Sequence, residues 1–352
     1  MSNYIHIGKR VIGAGLPAYI VAELSANHNQ SFDQAVKLIL AAKEAEVDAV
    51  KVQTYTADTM TLKSDKEFFK IKEGTPWSGR TLHDLYQEAS MPWEWQPKLK
   101  IIAKDLGLDF FSTSFDISSL DFLEDMNVPV HKVASFELVD IPLIKAIAQT
   151  KKPLFISTGM ATFEEISEAV LAAREAGATE IVLLKCTSSY PACSNEMNLR
   201  AIPYLSKMFE VPVGLSDHSL NPEISIASIA LGACIIEKHL TLSRDIPGPD
   251  SDFSLEPAEF KQLVEDLRLV ESSLGSEVCC TQDCEKSSRV FRRSIFVVKD
   301  MKAGDLFTPD NLRSIRPAYG LSPKYLKDCL GKRAAKDIDR GTPLSLDLIS
   351  YS

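Results

Sequence analysis

Eight short apolar, β-branched runs alternate with longer amphipathic patterns over the first 275 residues, and that count leaves few architectures open. The runs fall near Tyr19–Ala22, Ala49–Gln53, Asp109–Thr113, Val130–Ala134, Leu154–Ser157, Ile181–Lys185, Val213–Leu215 and Ala233–Glu237. Helical periodicity lies between or after them, near Phe32–Ala45, Trp93–Leu106, Ser118–Met126, Pro142–Thr150, Phe163–Ala176, Leu199–Phe209, Pro222–Leu231 and Pro257–Leu274. Strands that read as continuous apolar runs are buried on both faces, as in a parallel sheet covered by helices. Eight strand-then-helix units predict a (β/α)8 TIM barrel over residues 1–275. A doubly wound open sheet is the competing architecture.

One connection is unusually long, roughly Tyr55–Pro92, and carries Trp77, Arg80, His83 and Tyr86. It reads either as a lid or binding loop, or as a surface excursion packed on its own aromatics. Past Leu274 the chain turns polar and Cys-rich through residues 276–289, a linker. Residues 290–352 hold a short strand near Ser294–Val298 and turns at Gly304 and Gly341, and read as a small, mostly β module.

Composition bounds the partners. No apolar run approaches the ~20 residues that span a bilayer, and Met1-Ser2-Asn3-Tyr4 does not open a secretory signal, so a cytoplasmic protein is expected. Seven scattered cysteines fit reduced thiols, and Cys279, Cys280 and Cys284 lack the paired spacing and nearby His of a zinc site. A formal charge of -9 argues against nucleic acid or an anionic membrane as partner. An anionic substrate would need a local cluster of Lys, Arg or metal.

Barrel enzymes carry their chemistry at the C-terminal strand ends. Those ends read Glu23 with Asn27 and His28, Lys51 with Gln53, Ser112 with Thr113, Lys132 with Ser135 and Glu137, Ser157 with Thr158, Lys185 with Thr187, Asp217 with His218, and Glu237 with His239. Lys51 and Lys132 each interrupt an apolar triplet, where an unpaired ammonium is costly. Together with the hydroxyls of Thr113, Ser135 and Ser157 they make an anion site; paired with Glu23 and Glu137 they make a buried ion network instead. His218 and His239 end neighbouring strands, which suits either one divalent ion or two hydrogen-bonded core histidines. Asp250, in Pro247-Gly248-Pro249-Asp250, is a candidate carboxylate near such an ion or its water.

The segments Ala22 to His28, Lys132 to Glu137, Ser157-Thr158-Gly159-Met160, Gly214 to His218, Glu237-Lys238-His239 and Gly248-Pro249-Asp250 resemble, in order and spacing, those of the sialic acid synthase family. The tail, with Arg316-Pro317 followed by Gly320, resembles the SAF (antifreeze-like) domain fused to those synthases. The resemblance implies condensation of phosphoenolpyruvate with an acetamido sugar. It implies Glu23, Lys51, Lys132 and Asp250 as catalytic groups. Thr113, Ser135 and Ser157 would hold phosphoenolpyruvate beside the two lysines, with Gln53, Glu137, Ser188 and Tyr190 among the substrate-binding residues. His218 and His239 would bind manganese, with magnesium or cobalt as alternatives. It further implies a homodimer in which each SAF tail caps the partner's barrel and Arg316 reaches the sugar there.

Two departures bear on the sugar. Sialic acid synthases proper tend to carry Gly-Ser-Gly-Glu where this chain has Ala134-Ser135-Phe136-Glu137, and an Asn where it has Ser188. With Gln53-Thr54-Tyr55-Thr56 and Asp252-Phe253-Ser254-Leu255, these features look like the pseudaminic branch, whose sugar is 2,4-diacetamido-2,4,6-trideoxy-altrose. N-acetylneuraminate or legionaminate synthesis, and a non-catalytic sugar-binding module, are the alternatives. Phe136 is expected either to face the sugar or to pack outward between strand and helix.

Overall fold

A computed structural model describes residues 4–72, 74, 77–276 and 278–350. The chain divides into two compact units, Met1–Gly275 and Ser276–Ser352.

The first unit opens with an antiparallel hairpin of β1 (Tyr4–Ile7) and β2 (Arg10–Gly13). Then follow β3 (Tyr19–Glu23), α1 (Phe32–Glu44), β4 (Ala49–Thr54), α2 (Ala57–Met60), α3 (Leu82–Ala89), α4 (Gln96–Asp105), β5 (Asp109–Ser114) and α5 (Ile117–Asp125). The unit continues through β6 (His131–Val133), α6 (Ile141–Gln149), β7 (Leu154–Ser157), α7 (Phe163–Glu175), β8 (Ile181–Cys186), α8 (Ala201–Phe209), β9 (Val213–Asp217), α9 (Pro222–Ala230), β10 (Ile235–His239) and α10 (Pro257–Leu274). Strands β3 to β10 are parallel and close in the order β10-β3-β4-β5-β6-β7-β8-β9. Pairing of β10 with β3, from Ile235↔Tyr19 to His239↔Glu23, excludes the open sheet.

Side chains alternate across each strand, so one set fills the barrel and the other meets the helices. Ile20, Ala22, Val50, Val52, Phe110 and Ile236 belong to the core shared with the helices. Tyr19, Val21, Ala49, Phe111, Val130, Phe155, Val182, Leu184 and Ile235 form the inner core, joined by Ile5, Ile7 and Ile12 of the hairpin. The hairpin thus packs its apolar face on the barrel interior. Gly214 has no side chain to add there; a Cβ would lie 2.7 Å from Ile235 Cβ and Leu184 Cδ2. Two residues further along each strand, the inward positions turn polar.

Local signals set the helices. Ser31, Asp116 and Thr162 accept hydrogen bonds from backbone N–H groups in the first turns of α1, α5 and α7, removing unpaired donors. Along α10 the apolar positions Phe260, Leu263, Val264 and Leu267 are buried in one stripe. On the same helix Arg268 donates to Asp48 at 2.9 Å and to the Ala18 carbonyl at 2.8 Å.

The second unit has two small antiparallel pairs, β11 (Ser294–Val297) with β12 (Leu312–Ile315) and β13 (Arg333–Ala334) with β14 (Ile349–Ser350), and one short helix, α11 (Leu326–Cys329). Ile295, Val297, Phe307, Leu312, Ile338 and Leu344 are among its core residues. Ser294 Oγ donates to the Pro317 carbonyl at 2.6 Å and accepts from Gly320 N at 2.9 Å, fixing the turn after β12. Gly320 fits because a Cβ there would strike the Ile295 carbonyl.

Candidate active site

A cavity of about 440 Å3 opens at the C-terminal end of the barrel. Lys51, Gln53, Thr113, Lys132, Ser135, Glu137, Ser157, Tyr190, His218, His239 and Asp250 all line it. Glu23 sits just beneath, bonded to Lys51 and Gln53. Ser188 lies beside the cavity, its hydroxyl 3.7 Å from Cys186 Sγ. Arg316 is exposed in the second unit, on the turn after β12.

The two lysines differ. Lys51 Nζ lies 2.6 Å from Glu23, 3.5 Å from Glu237 and 3.1 Å from the Thr113 hydroxyl, so it is the centre of a buried ion network. Lys132 Nζ donates to the Val133 carbonyl at 3.0 Å and, among the described residues, has no carboxylate within ion-pair distance. Lys51 thus sits in an ion network with Glu23, as one of the two readings expects, with Glu237 rather than Glu137 as its second carboxylate. Burial pulls the Lys132 ammonium below its ordinary range, so an arriving anion would stabilise its charged form. Ser157 Oγ, buried without a partner among the described residues, and the Thr113 and Ser135 hydroxyls stand on the same side of the ring, at the ends of β5, β6 and β7. Ser135 Oγ also accepts from Gly159 N at 3.1 Å.

The carboxyls are held at different protonation tendencies. Burial and neighbouring Glu237 keep Glu23 above its ordinary range despite Lys51. Burial acts on Glu237 as well, yet Lys132 and Lys51 together outweigh it and hold that carboxyl low. Burial lifts Glu137 to about 7, and its Oε2 has no partner among the described residues. Asp250, also raised by burial, accepts from the Ser25 hydroxyl and from Ala26 N at 3.3 Å. Such divergent carboxyls in one cavity are the raw material of acid and base work.

His218 and His239 stand at the ends of adjacent strands, ring centres 5.2 Å apart. His218 Nδ1 faces the Thr187 carbonyl at 3.2 Å, which can only accept, so Nδ1 carries the proton and Nε2 is left as a donor atom for a ligand. The Nδ1 of His239 is buried without a partner among the described residues, and burial keeps that ring neutral. Against the pull of burial, Cys186 and the Thr187 carbonyl raise His218 above its ordinary range; in their neutral forms the two imidazoles would leave open positions on a divalent ion for water and a substrate oxygen, so these residues fit one. Phe253 packs against both rings, at 6.3 and 5.0 Å between centres, and against Tyr190 at 5.1 Å.

The long connection is a wall of the site. Met60, Trp77, Leu82, Leu85 and Tyr86 from it line the cavity, and Trp77 Nε1 donates to the Pro249 carbonyl at 2.8 Å beside Asp250. Arg80 and His83 instead hold the insertion together, through Glu88 at 2.5 Å and Asp58 at 3.1 Å. Phe136 lines the cavity and is 58% exposed, which rules out the outward packing between strand and helix.

Sequence reading assigned no role to Glu237, Ser216 or Cys186, although all three line the cavity. Counting inward positions by twos from Ile235, Gly214 and Leu184 reaches each of them. Of the other polar strand ends, Asp217 faces away from the cavity into a buried pair with Lys238 at 2.8 Å. Asn27 is spent on the Leu240 carbonyl and Ser254, both at 2.9 Å.

Comparison with known proteins agrees with this geometry. The pseudaminic acid synthase of Campylobacter jejuni is 44% identical over 326 residues, covering 93% of this chain and 95% of that protein. The pseudaminic acid synthase of Helicobacter pylori is 42% identical over 338 residues, covering 96% and 99%. A crystal structure of N-acetylneuraminic acid synthetase from Leptospira borgpetersenii superimposes with a TM-score of 0.73 at 32% identity, covering 82% of this chain and 95% of that one. A SAF domain profile matches residues 292–350. The NeuB family profile matches residues 38–279, and the chain belongs to that family.

Proposed function

We propose that this protein condenses phosphoenolpyruvate with 2,4-diacetamido-2,4,6-trideoxy-altrose, releasing phosphate and a nine-carbon 2-keto acid, pseudaminic acid. The observation that carries the reading is Lys132, a buried ammonium with no carboxylate within ion-pair distance among the described residues, lining one cavity with the hydroxyls of Thr113, Ser135 and Ser157. A phosphate or carboxylate completes that cluster. Relatives named pseudaminic acid synthase, at 42% and 44% identity across nearly the whole chain, supply the branch.

In the reaction the C2–C3 π electrons of phosphoenolpyruvate form the new bond to the aldehyde carbon of the open-chain sugar, whose oxygen takes up a proton. A divalent ion such as manganese on His218 and His239, when bound, would polarise that aldehyde oxygen as a Lewis acid. Lys132 and the hydroxyls hold the phosphoryl and carboxylate groups in place while positive charge develops at C2. Glu23 orients the water that adds at C2 and accepts its proton, and Lys51 keeps that carboxylate in position. Cleavage of the C2–O bond then expels phosphate and leaves the ketone. Asp250, anchored by Ser25, lies at the His side of the cavity for the hydroxyl proton.

The mouth itself supports the homodimer reading, in which a second copy's residues 290–352 cap the barrel and Arg316 meets the sugar. Phe136, which lines the cavity, and Ile117, Val139 and Met160, which follow the C-terminal ends of β5, β6 and β7, are exposed apolar groups at this end of the barrel. Among the described residues no helix is long and apolar enough to cross a membrane, and all seven cysteines are free, which supports work in the cytosol. Supplied with phosphoenolpyruvate and the diacetamido sugar, the protein should release phosphate and keto acid in equal amounts. Phosphate release that continues without any sugar would contradict condensation.

A further inference from the structure

One half of the mouth has an arrangement that the condensation itself does not use. Tyr55 follows β4, Phe115 follows β5, and Tyr86 comes from α3 in the insertion. Their rings form an edge-to-face corner, Tyr55 against Tyr86 at 5.8 Å and against Phe115 at 5.0 Å. All three line the cavity, with Leu82 and Leu85 beside them. Neither tyrosine hydroxyl has a hydrogen-bond partner among the described residues, and the Tyr86 phenol feels the Glu137 carboxyl, whose Oε2 is buried and also unpaired.

The corner is rigidly mounted. Gln30 Nε2 donates to the carbonyls of Glu88 at 2.7 Å and Ser90 at 2.5 Å, tying the end of α3 to the barrel. Trp93 Nε1 donates to the Tyr55 carbonyl at 3.1 Å. A fixed apolar surface with unpaired polar tips is suited to a ligand group that is itself half apolar and half polar. An acetamido group is one: a methyl for the rings and leucines, a carbonyl to accept from a phenol, and an N–H to donate to a carboxyl or phenol oxygen. A sugar hydroxyl would leave most of that surface unfilled and one polar tip unpaired.

Position in the ring says which acetamido group. In the closed strand order β5, which Phe115 follows, lies across the barrel from β9, and β6, whose end carries the Glu137 that the Tyr86 phenol feels, lies across from β10, while Tyr55 follows β4, two strands from β10; His218 and His239 stand at the ends of β9 and β10. An aldehyde held at the histidines puts the far part of the sugar at the Tyr86 and Phe115 side of this corner. We infer that Tyr86 and Tyr55 are specificity-determining residues that recognise the acetamido group remote from the aldehyde, at C4. This deepens the sugar assignment above and rests on it.

The test compares kcat/KM for the diacetamido sugar and for its counterpart bearing a hydroxyl at C4, in the unaltered enzyme, in Tyr86→Phe and in Tyr55→Phe. Removing one neutral hydrogen bond should lower kcat/KM for the diacetamido sugar about 3- to 10-fold and leave the hydroxyl counterpart within about twofold. Should Tyr86→Phe lose its cooperative thermal transition, Tyr55→Phe carries the same comparison. If the unaltered enzyme prefers the diacetamido sugar and both variants keep that preference in full, the inference is overturned and the sugar assignment stands. If the unaltered enzyme shows no preference, both fall together.

Discussion

Lys51 and Lys132 look alike in the sequence, each a lysine in an apolar triplet, and the structure pairs them differently. Lys51 is ion-paired to Glu23 and lies 3.5 Å from Glu237, so Lys51→Met leaves the buried Glu23 without its cation and should cost about 3–5 kcal/mol of stability. Lys132→Met removes an ammonium that burial already disfavours but that also helps to hold Glu237 low, so it should cost less stability than Lys51→Met while raising KM for phosphoenolpyruvate at least tenfold. Equal destabilisation by the two would contradict their different pairing. The distinction was not legible because Glu237 comes from β10, two strands from Lys51 around the ring and far along the chain. Glu137 offers a second test. Its folded carboxyl titrates at about 7 against an ordinary 4.5, so between those values the folded state binds more protons and stability falls as pH rises. Glu137→Gln should therefore lose less thermal stability between pH 5 and pH 8 than the parent. A parent and variant with the same pH slope would remove that buried acid from the account.

Elements were more legible than side-chain partners. All eight barrel strands stand where apolar runs predict them, because a parallel strand buried on both faces has no room for polar residues until it reaches the site. The ends are where periodicity failed: β9 extends to Asp217 and β10 to His239, since polar residues there are paired inside the fold and need not leave the strand. The β1–β2 hairpin went unread because each strand is only four residues long. Behind the two histidines, Asp217 accepts from Lys238 Nζ at 2.8 Å, Ser225 Oγ at 2.7 Å and Ser219 N at 2.9 Å, while Lys238 also donates to the Ser219 carbonyl at 2.5 Å. This cluster ties the ends of β9 and β10 to α9. Lys238→Met strands a buried carboxylate and should cost about 3–5 kcal/mol, much of it regained when Asp217→Leu is added, because an apolar pair carries no desolvation penalty. Urea midpoints of the two variants check this; a single variant as stable as the parent would contradict it.

At the scale of the whole molecule, the barrel and the small β unit each have their own core, which composition and the turn-rich linker already suggested. Arg316 stands exposed on the second unit, and the homodimer proposed above would give it a role. If a second copy caps each barrel, mixing Arg316→Ala chains with Glu23→Gln chains should restore some turnover, since each mixed dimer holds one site free of both changes. Mixtures no more active than either parent would mean the cap acts within one chain. The most direct test of the central claim is competition between sugars at saturating phosphoenolpyruvate with manganese. Phosphate release should favour 2,4-diacetamido-2,4,6-trideoxy-altrose over N-acetylmannosamine by a factor on the order of 10² or more in kcat/KM. Equal or faster turnover of N-acetylmannosamine would contradict the sugar assignment while leaving the synthase chemistry in place.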